Sequence, residues 1–182
     1  MKVGVFGGSF NPPHIAHVLA CALVLSLEDL DSLVVVPTYE HPFAKPLAPF
    51  DDRTRMCELA MGWIPRVCVS RVEQELGGQS RTLRTLEHLA RAHPNWRLRL
   101  VVGADVLLDA SRWFGFDEIV RLAPLIVLPR AGASGVPQLL PDISSTQVRE
   151  AIQRGAWADA ERLVPRSVLA FLRAHNLYEP TQ

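Results

Sequence analysis

The stretch from Val3 to Leu27 restricts this chain more than any other part. Val3-Gly4-Val5-Phe6 is a short apolar run of the kind a buried strand requires, and Val18 to Leu27 is a long apolar stretch that reads as a helix. Between them stands Gly7-Gly8-Ser9-Phe10-Asn11-Pro12-Pro13-His14-Ile15-Ala16-His17. A strand, a glycine pair and then two histidines at i and i+3 entering a helix are suited to holding phosphate. The glycines let backbone approach a ligand closely, and the helix start offers unpaired N–H groups and a positive dipole end. His14 and His17 share one face of the first turn, so both are expected to aim imidazole N–H donors at the same anion. The spacing of Gly4, Gly7 and Gly8 does not match G-x-G-x-x-G, and no Lys follows as in G-x-x-x-x-G-K-[ST]. The cradle is of another type.

Strand-like and helix-like segments alternate beyond it. Strands are expected at Ser32–Val36, Val67–Ser70, Arg97–Val102 and Leu125–Leu128. Helices are expected at Ala16–Leu27, from an Asp51-Asp52 cap to about Gly62, from a Ser80 or Thr82 cap to about His93, and at Ala104–Ala110. Three more should close the chain at Ser145–Arg154, Ala158–Leu163 and Pro165–His175. Repeated βα units imply an α/β fold: one Rossmann-like, doubly wound parallel sheet with helices on both faces and a helical C-terminal segment. In such sheets ligands sit beyond the carboxyl ends of the strands. Gly77-Gly78 reads as a turn, and Ala131-Gly132-Ala133-Ser134-Gly135 as a loop small enough to be flexible.

At 182 residues one domain spanning the whole chain is expected. Lys plus Arg number 19 and Asp plus Glu 19, so the basic excess of a duplex nucleic-acid binder is missing. No apolar run reaches the roughly 18 residues of a membrane span. Cys21, Cys57 and Cys68 have no C-x-x-C spacing and read as buried free thiols of a cytoplasmic protein.

Ser9-Phe10-Asn11-Pro12-Pro13-His14-Ile15-Ala16-His17 resembles the H-x-G-H-type motif of the nucleotidyltransferases, and Ile143-Ser144-Ser145-Thr146-Gln147-Val148-Arg149 resembles their I-S-S-T-x-[IV]-R segment. Further segments are similar to bacterial nicotinate-nucleotide adenylyltransferases. Ser80-Arg81-Thr82-Leu83-Arg84-Thr85-Leu86 matches S-Y-T-x-x-T-L except at Arg81, and Val102-Gly103-Ala104-Asp105 with Trp113 matches [IV]-G-[AS]-D…W. Leu128-Pro129-Arg130, Leu163-Val164-Pro165 and Asn176-Leu177-Tyr178 extend the likeness over nearly the whole chain. Asn11 stands where Asp is usual, Ala16 where Gly is usual and Arg81 where Tyr is usual. The loop His41-Pro42-Phe43-Ala44-Lys45-Pro46 departs from the P-P-H-K form but keeps a Lys.

The resemblance implies adenylyl transfer from ATP to nicotinate mononucleotide, a step of NAD biosynthesis, with Mg²⁺ held mainly by the ATP phosphates and few protein ligands. It implies His14, His17, Lys45 and Arg149 as the groups that neutralise developing charge. Gly7, Gly8, Ser9, Phe10, Gly103, Asp105, Ser145 and Thr146, with His17 and Arg149, would hold ATP. Asn11, Lys45, Arg81, Thr82, Trp113 and Arg130 would hold the mononucleotide, with Trp113 stacked on the cationic pyridine ring and Thr82 at its carboxylate. The plain alternatives are capping or core histidines, a core tryptophan and N-caps for Thr82, Asp105 and the serines. Two other functions compete: adenylylation of phosphopantetheine, and nucleotide binding without turnover. Neither gives a reason for the S-x-T-x-x-T-L and G-A-D…W pair together with all four cationic groups. A homo-oligomer stays open.

Overall fold

Side chains of β1 (Lys2–Gly8) point alternately to two apolar cores, and this alternation sorts the whole molecule into layers. The structure, a computed structural model, describes residues 1–41, 46–104, 113–128 and 140–180. Four further strands, β2 (Ser32–Pro37), β3 (Val67–Val69), β4 (Arg97–Gly103) and β5 (Leu125–Leu128), complete a five-stranded sheet in the order β3-β2-β1-β4-β5. Every pairing is parallel; Val5 of β1, for example, faces Val34 on one side and Leu100 on the other. Strand order therefore reverses between β1 and β4, where such a sheet opens a crevice.

Phe6, Leu33, Val35, Val101, Ile126 and Leu128 face one core. It is closed by α1 (Ile15–Leu27), α2 (Phe50–Met61), α6 (Ser145–Gln153), α7 (Trp157–Leu163) and α8 (Arg166–Ala174). Val3, Val5, Val34, Val36, Leu98, Leu100 and Val102 face the other. That side is covered by α3 (Val72–Leu76), α4 (Thr82–Ala92) and α5 (Phe116–Leu122). α1 shows how a nearly uniform apolar segment is used: Ala20, Cys21 and Val24 are buried, while Leu27 stays exposed. Each fully buried valine or leucine contributes about 1.5–3 kcal/mol relative to exposure, so the two cores dominate folding. Among the described residues no helix is long and apolar enough to cross a membrane.

The expected strands are all present, with β1, β2 and β4 one to three residues longer than the apolar runs and β3 one residue shorter. Several expectations are corrected. Asp51 and Asp52 are not the cap of α2; Pro49 holds that position and the two carboxylates lie in the first turn, where the helix dipole favours them. Neither Ser80 nor Thr82 caps α4, because Arg81 takes the cap position with an extended backbone. Pro165 precedes α8 as its N-cap. Cys21 and Cys57 are buried, and burial pushes the Cys21 thiol up to about 12. Cys68, in contrast, is exposed. It is the middle residue of the edge strand β3 and points away from the core that Val67 and Val69 pack against. The expected helix Ala104–Ala110 falls mostly, and the expected loop Ala131–Gly135 wholly, outside the described residues.

Candidate active site

A cavity of about 650 Å³ lies over the carboxyl ends of the strands, lined by Gly7 and Gly8 at the end of β1, Ser9 just beyond it, Thr38 after β2, Gly103 of β4 and Leu128 of β5. Its position is the one the switch in strand order dictates. Gly8 is tightly packed there: a Cβ on it would lie 3.2 Å from the ring of Phe10, which would have to give by a few tenths of an ångström. Phe10 itself, with φ +45°, turns inward and is 1% exposed. Its ring meets Phe6 edge-on at 5.6 Å and His17 at 4.9 Å between centroids. Phe10 is thus a support beneath His17 and is absent from the cavity lining, although a nucleotide contact was expected of it.

α1 starts immediately after this turn, with His14 at the N-cap in an extended conformation. The His14 backbone N–H donates to His17 Nδ1 at 3.1 Å. An Nδ1 that accepts leaves Nε2 as the protonated nitrogen of the neutral ring. The two imidazoles stack with centroids 3.7 Å apart, so they do not lie side by side over one anion. His17 lines the cavity, whereas His14 is buried and absent from the lining.

Asn11 carries the contacts that fix the turn. Its Oδ1 accepts from Ala48 N at 3.0 Å and from the Tyr178 hydroxyl at 2.7 Å, its Nδ2 donates to Pro46 O at 3.3 Å, and its carbonyl accepts from Arg149 Nη1 at 2.8 Å. The amide is taken up by the chain's own groups, and Asn11 is not in the cavity lining where a mononucleotide contact was expected. Burial raises the Tyr178 hydroxyl far above its ordinary range, so it remains a donor. α6 docks on the same turn: Ser145 Oγ donates to Pro12 O at 2.8 Å, and Arg149 Nη2 reaches Thr146 Oγ1 at 3.2 Å. The cap of α6 is Ser144, which forms a capping box with Gln147 through bonds of 3.2 and 2.7 Å. Ser145, Thr146 and Arg149 therefore stand beside the turn at residues 11–12, outside the cavity lining.

The opposite end of the cavity is built by α3, α4 and the residues before α5. Arg81, Thr82, Thr85, Trp113 and Phe114 line it. The Arg81 guanidinium lies 5.0 Å over the Phe114 ring, and Trp113 meets Phe116 edge-on at 6.4 Å. Gly115 follows with φ +69°, and a Cβ on it would strike Leu83 at 2.6 Å, so glycine is needed to set Trp113 and Phe114 against α4. Glu73, buried on α3, accepts from Thr85 Oγ1 at 2.8 Å and from Tyr39 N at 3.4 Å. Burial, the largest effect, raises its carboxyl above the ordinary range, and those two bonds with Arg84 and Arg53 oppose the rise. Lys45, Asp105 and Arg130 lie outside the described residues.

Two groups were not anticipated. Arg53, 1% exposed, donates to Ala48 O, Ser9 O and Thr38 O at 2.7–3.0 Å, stitching the turns after β1 and β2 to the start of α2. Its place on the stripe Phe50, Arg53, Cys57, Ala60 was the available signal, since that stripe is the buried face of α2. Glu73 is the second.

A family model described as Cytidylyltransferase-like matches residues 5–151, which covers the cradle, the sheet and the first turns of α6. A relative from Anaeromyxobacter dehalogenans (strain 2CP-C), named as a nicotinate-nucleotide adenylyltransferase, is 43% identical over 97% of this chain and 96% of its own length. One from Myxococcus xanthus (strain DK1622) with the same name is 38% identical over 98% and 95%. The fold is also that of a solved nicotinic acid mononucleotide adenylyltransferase from Plasmodium falciparum, complexed with APC, at a TM-score of 0.83 and 18% identity over 97% of this chain and 96% of that one. The same Plasmodium enzyme complexed with NaAD gives a TM-score of 0.80 at 17% identity, over 97% of each chain. The chain belongs to the nicotinate-nucleotide adenylyltransferase family of cytidylyltransferase-like nucleotidyltransferases.

Proposed function

We propose that this protein transfers the adenylyl group of MgATP to nicotinate mononucleotide. A phosphate oxygen of the mononucleotide forms a bond to the α-phosphorus, the bond from that phosphorus to the bridging oxygen breaks, and pyrophosphate leaves. Nicotinate adenine dinucleotide is the other product. The attacking oxygen is already anionic, so no general base is needed, and catalysis rests on alignment and on stabilising charge. One observation carries the reading: a single cavity joins the Gly7-Gly8-Ser9 and His17 cradle to the Arg81, Thr82 and Trp113 end. Two anionic partners would thus be held in one crevice.

In this reading His17 contacts the α-phosphate through Nε2, and His14 supports it through the stacked ring and its backbone N–H. Gly7, Gly8, Ser9 and Gly103 would border the nucleotide, and Asp105 would meet a sugar hydroxyl. Ser145, Thr146 and Arg149 would reach the β- and γ-phosphates, with Lys45 neutralising phosphate charge. Trp113 would stack on the pyridine ring, Thr82 and Arg81 would meet its carboxylate, and Arg130 would lie towards the mononucleotide. Mg²⁺ would enter with ATP. The ATP phosphates would carry most of its coordination. Residues 1–182 would work as one domain in the cytoplasm.

Pyrophosphate release from MgATP, measured with each acceptor in turn, tests this. Nicotinate mononucleotide should exceed phosphopantetheine by at least about 100-fold in kcat/KM, because the site's polar groups go unpaired with the wrong acceptor. Equal rates, or a reversed order, reject the assignment. ATP binding with no release for any acceptor would make the protein a nucleotide binder instead.

A further inference from the structure

We propose that Glu73 is a positioning residue for the acceptor mononucleotide, its carboxylate fastening the first turn of α4 to the chain that leaves β2. The inference deepens the function proposed above and rests on it. Glu73 is 9% exposed and sits in the cavity wall, yet adenylyl transfer to a phosphate gives it no proton to move. Burying a carboxylate is costly unless it is well bonded, so its partners indicate what it does. One oxygen accepts from Thr85 Oγ1 at 2.8 Å and the other from Tyr39 N at 3.4 Å, two elements apart in the fold. Ser80 Oγ accepts from the same Tyr39 N–H at 2.9 Å. The carboxylate and Ser80 thus hold both sides of Arg81 and Thr82, the two residues assigned to the acceptor.

Geometry carries the effect to the substrate. Thr85 lies one helical turn beyond Thr82, so pinning its hydroxyl fixes the rotation of α4 about its axis. That rotation sets where the Thr82 hydroxyl and the first-turn N–H groups face. No comparable bond links Glu73 to Gly7, Gly8, Ser9 or His17 among the described residues, so the ATP end should be indifferent to it.

Steady-state pyrophosphate release with the full chain tests this. Glu73→Leu and Thr85→Val should each raise KM for nicotinate mononucleotide about tenfold, the scale of one lost bond to a charged group. KM for ATP and kcat should stay within about twofold of the parent. Glu73→Gln can accept from Tyr39 N–H and donate to Thr85 Oγ1, whose hydroxyl already has Arg81 O within 3.3 Å, and should keep KM within about threefold. An unchanged acceptor KM in Glu73→Leu, a matching rise in KM for ATP, or Glu73→Gln as impaired as Glu73→Leu overturns the proposal. If Glu73→Leu does not fold, Thr85→Val, which removes one hydroxyl, decides by the same criteria. An active parent with unmoved variants defeats the role of Glu73 and leaves the function standing. A parent inactive with nicotinate mononucleotide defeats both.

Discussion

One hydrogen bond decides how His17 can act. The His14 backbone N–H occupies Nδ1, Phe10 packs edge-on against the ring, and Nε2 is left as the donor nitrogen of the neutral imidazole. A preorganised donor of this kind gains strength as charge grows on the phosphorus oxygens. Replacing His17 by alanine should therefore lower kcat by roughly 100-fold or more while changing either KM far less. A variant with parental kcat and an altered melting temperature would make His17 structural. The cradle was legible in the sequence because glycines and histidines carry chemistry that few other contexts need together. The supports around it were not. Phe10 and Asn11 sit inside the motif, but a sequence does not reveal that an aromatic ring folds under its neighbour or that an amide is satisfied by Ala48, Pro46 and Tyr178. Arg53 and Glu73 were not singled out from the sequence at all, and their burial goes with partners distant in the chain, Ser9 at 44 residues from Arg53 and Thr85 at 12 from Glu73.

At the level of elements, the short helix α7 was expected but α3 and α5 were missed. α4, with 11 residues, shows an apolar face through Leu83, Leu86, Leu89 and Ala90, whereas α3 and α5 have 5 and 7, too few to establish a period. α6 starts at Ser145 as expected, and of the three adjacent hydroxyls Ser144 is its cap, selected by the Gln147 side chain returning to the Ser144 N–H. The junction of α4 with the turn before α5 holds one of this chain's departures from its family, Arg81 in place of Tyr. Arg81 is exposed at the cap of α4 and lies over Phe114 at the rim of the cavity. A cation held there by an aromatic face should favour a pyridine carboxylate over a carboxamide. Exposed ion pairs are worth about 1 kcal/mol or less, so Arg81→Tyr should lower the acid-to-amide ratio of kcat/KM about two- to fivefold. The change should shrink in high salt. A ratio that does not move would assign the discrimination to Thr82 and backbone N–H groups.

Across the whole molecule, the sheet order β3-β2-β1-β4-β5 opens one crevice and the two apolar cores hold its walls, but the walls include a carboxylate taken out of water. That should be visible in global stability. Burial raises the Glu73 carboxyl above its unfolded value, against the opposing pull of Thr85, the Tyr39 N–H, Arg84 and Arg53. With the folded value the higher one, the folded state binds more protons than the unfolded state once pH exceeds about 4. Stability from this group is then fully present below its unfolded pKa and is lost as pH rises through its folded pKa. Glu73→Gln cannot titrate and escapes the loss. The difference in melting temperature, Glu73→Gln minus parent, should accordingly grow between pH 4 and pH 7, whatever its sign at pH 4. Taking the difference cancels surface pairs such as Lys2 with Asp29, where the lysine lowers the aspartate and the trend runs the other way. A flat difference would mean that the folded and unfolded states hold this proton equally. A difference that grows toward acid would mean that the bonds from Thr85 and Tyr39 outweigh burial.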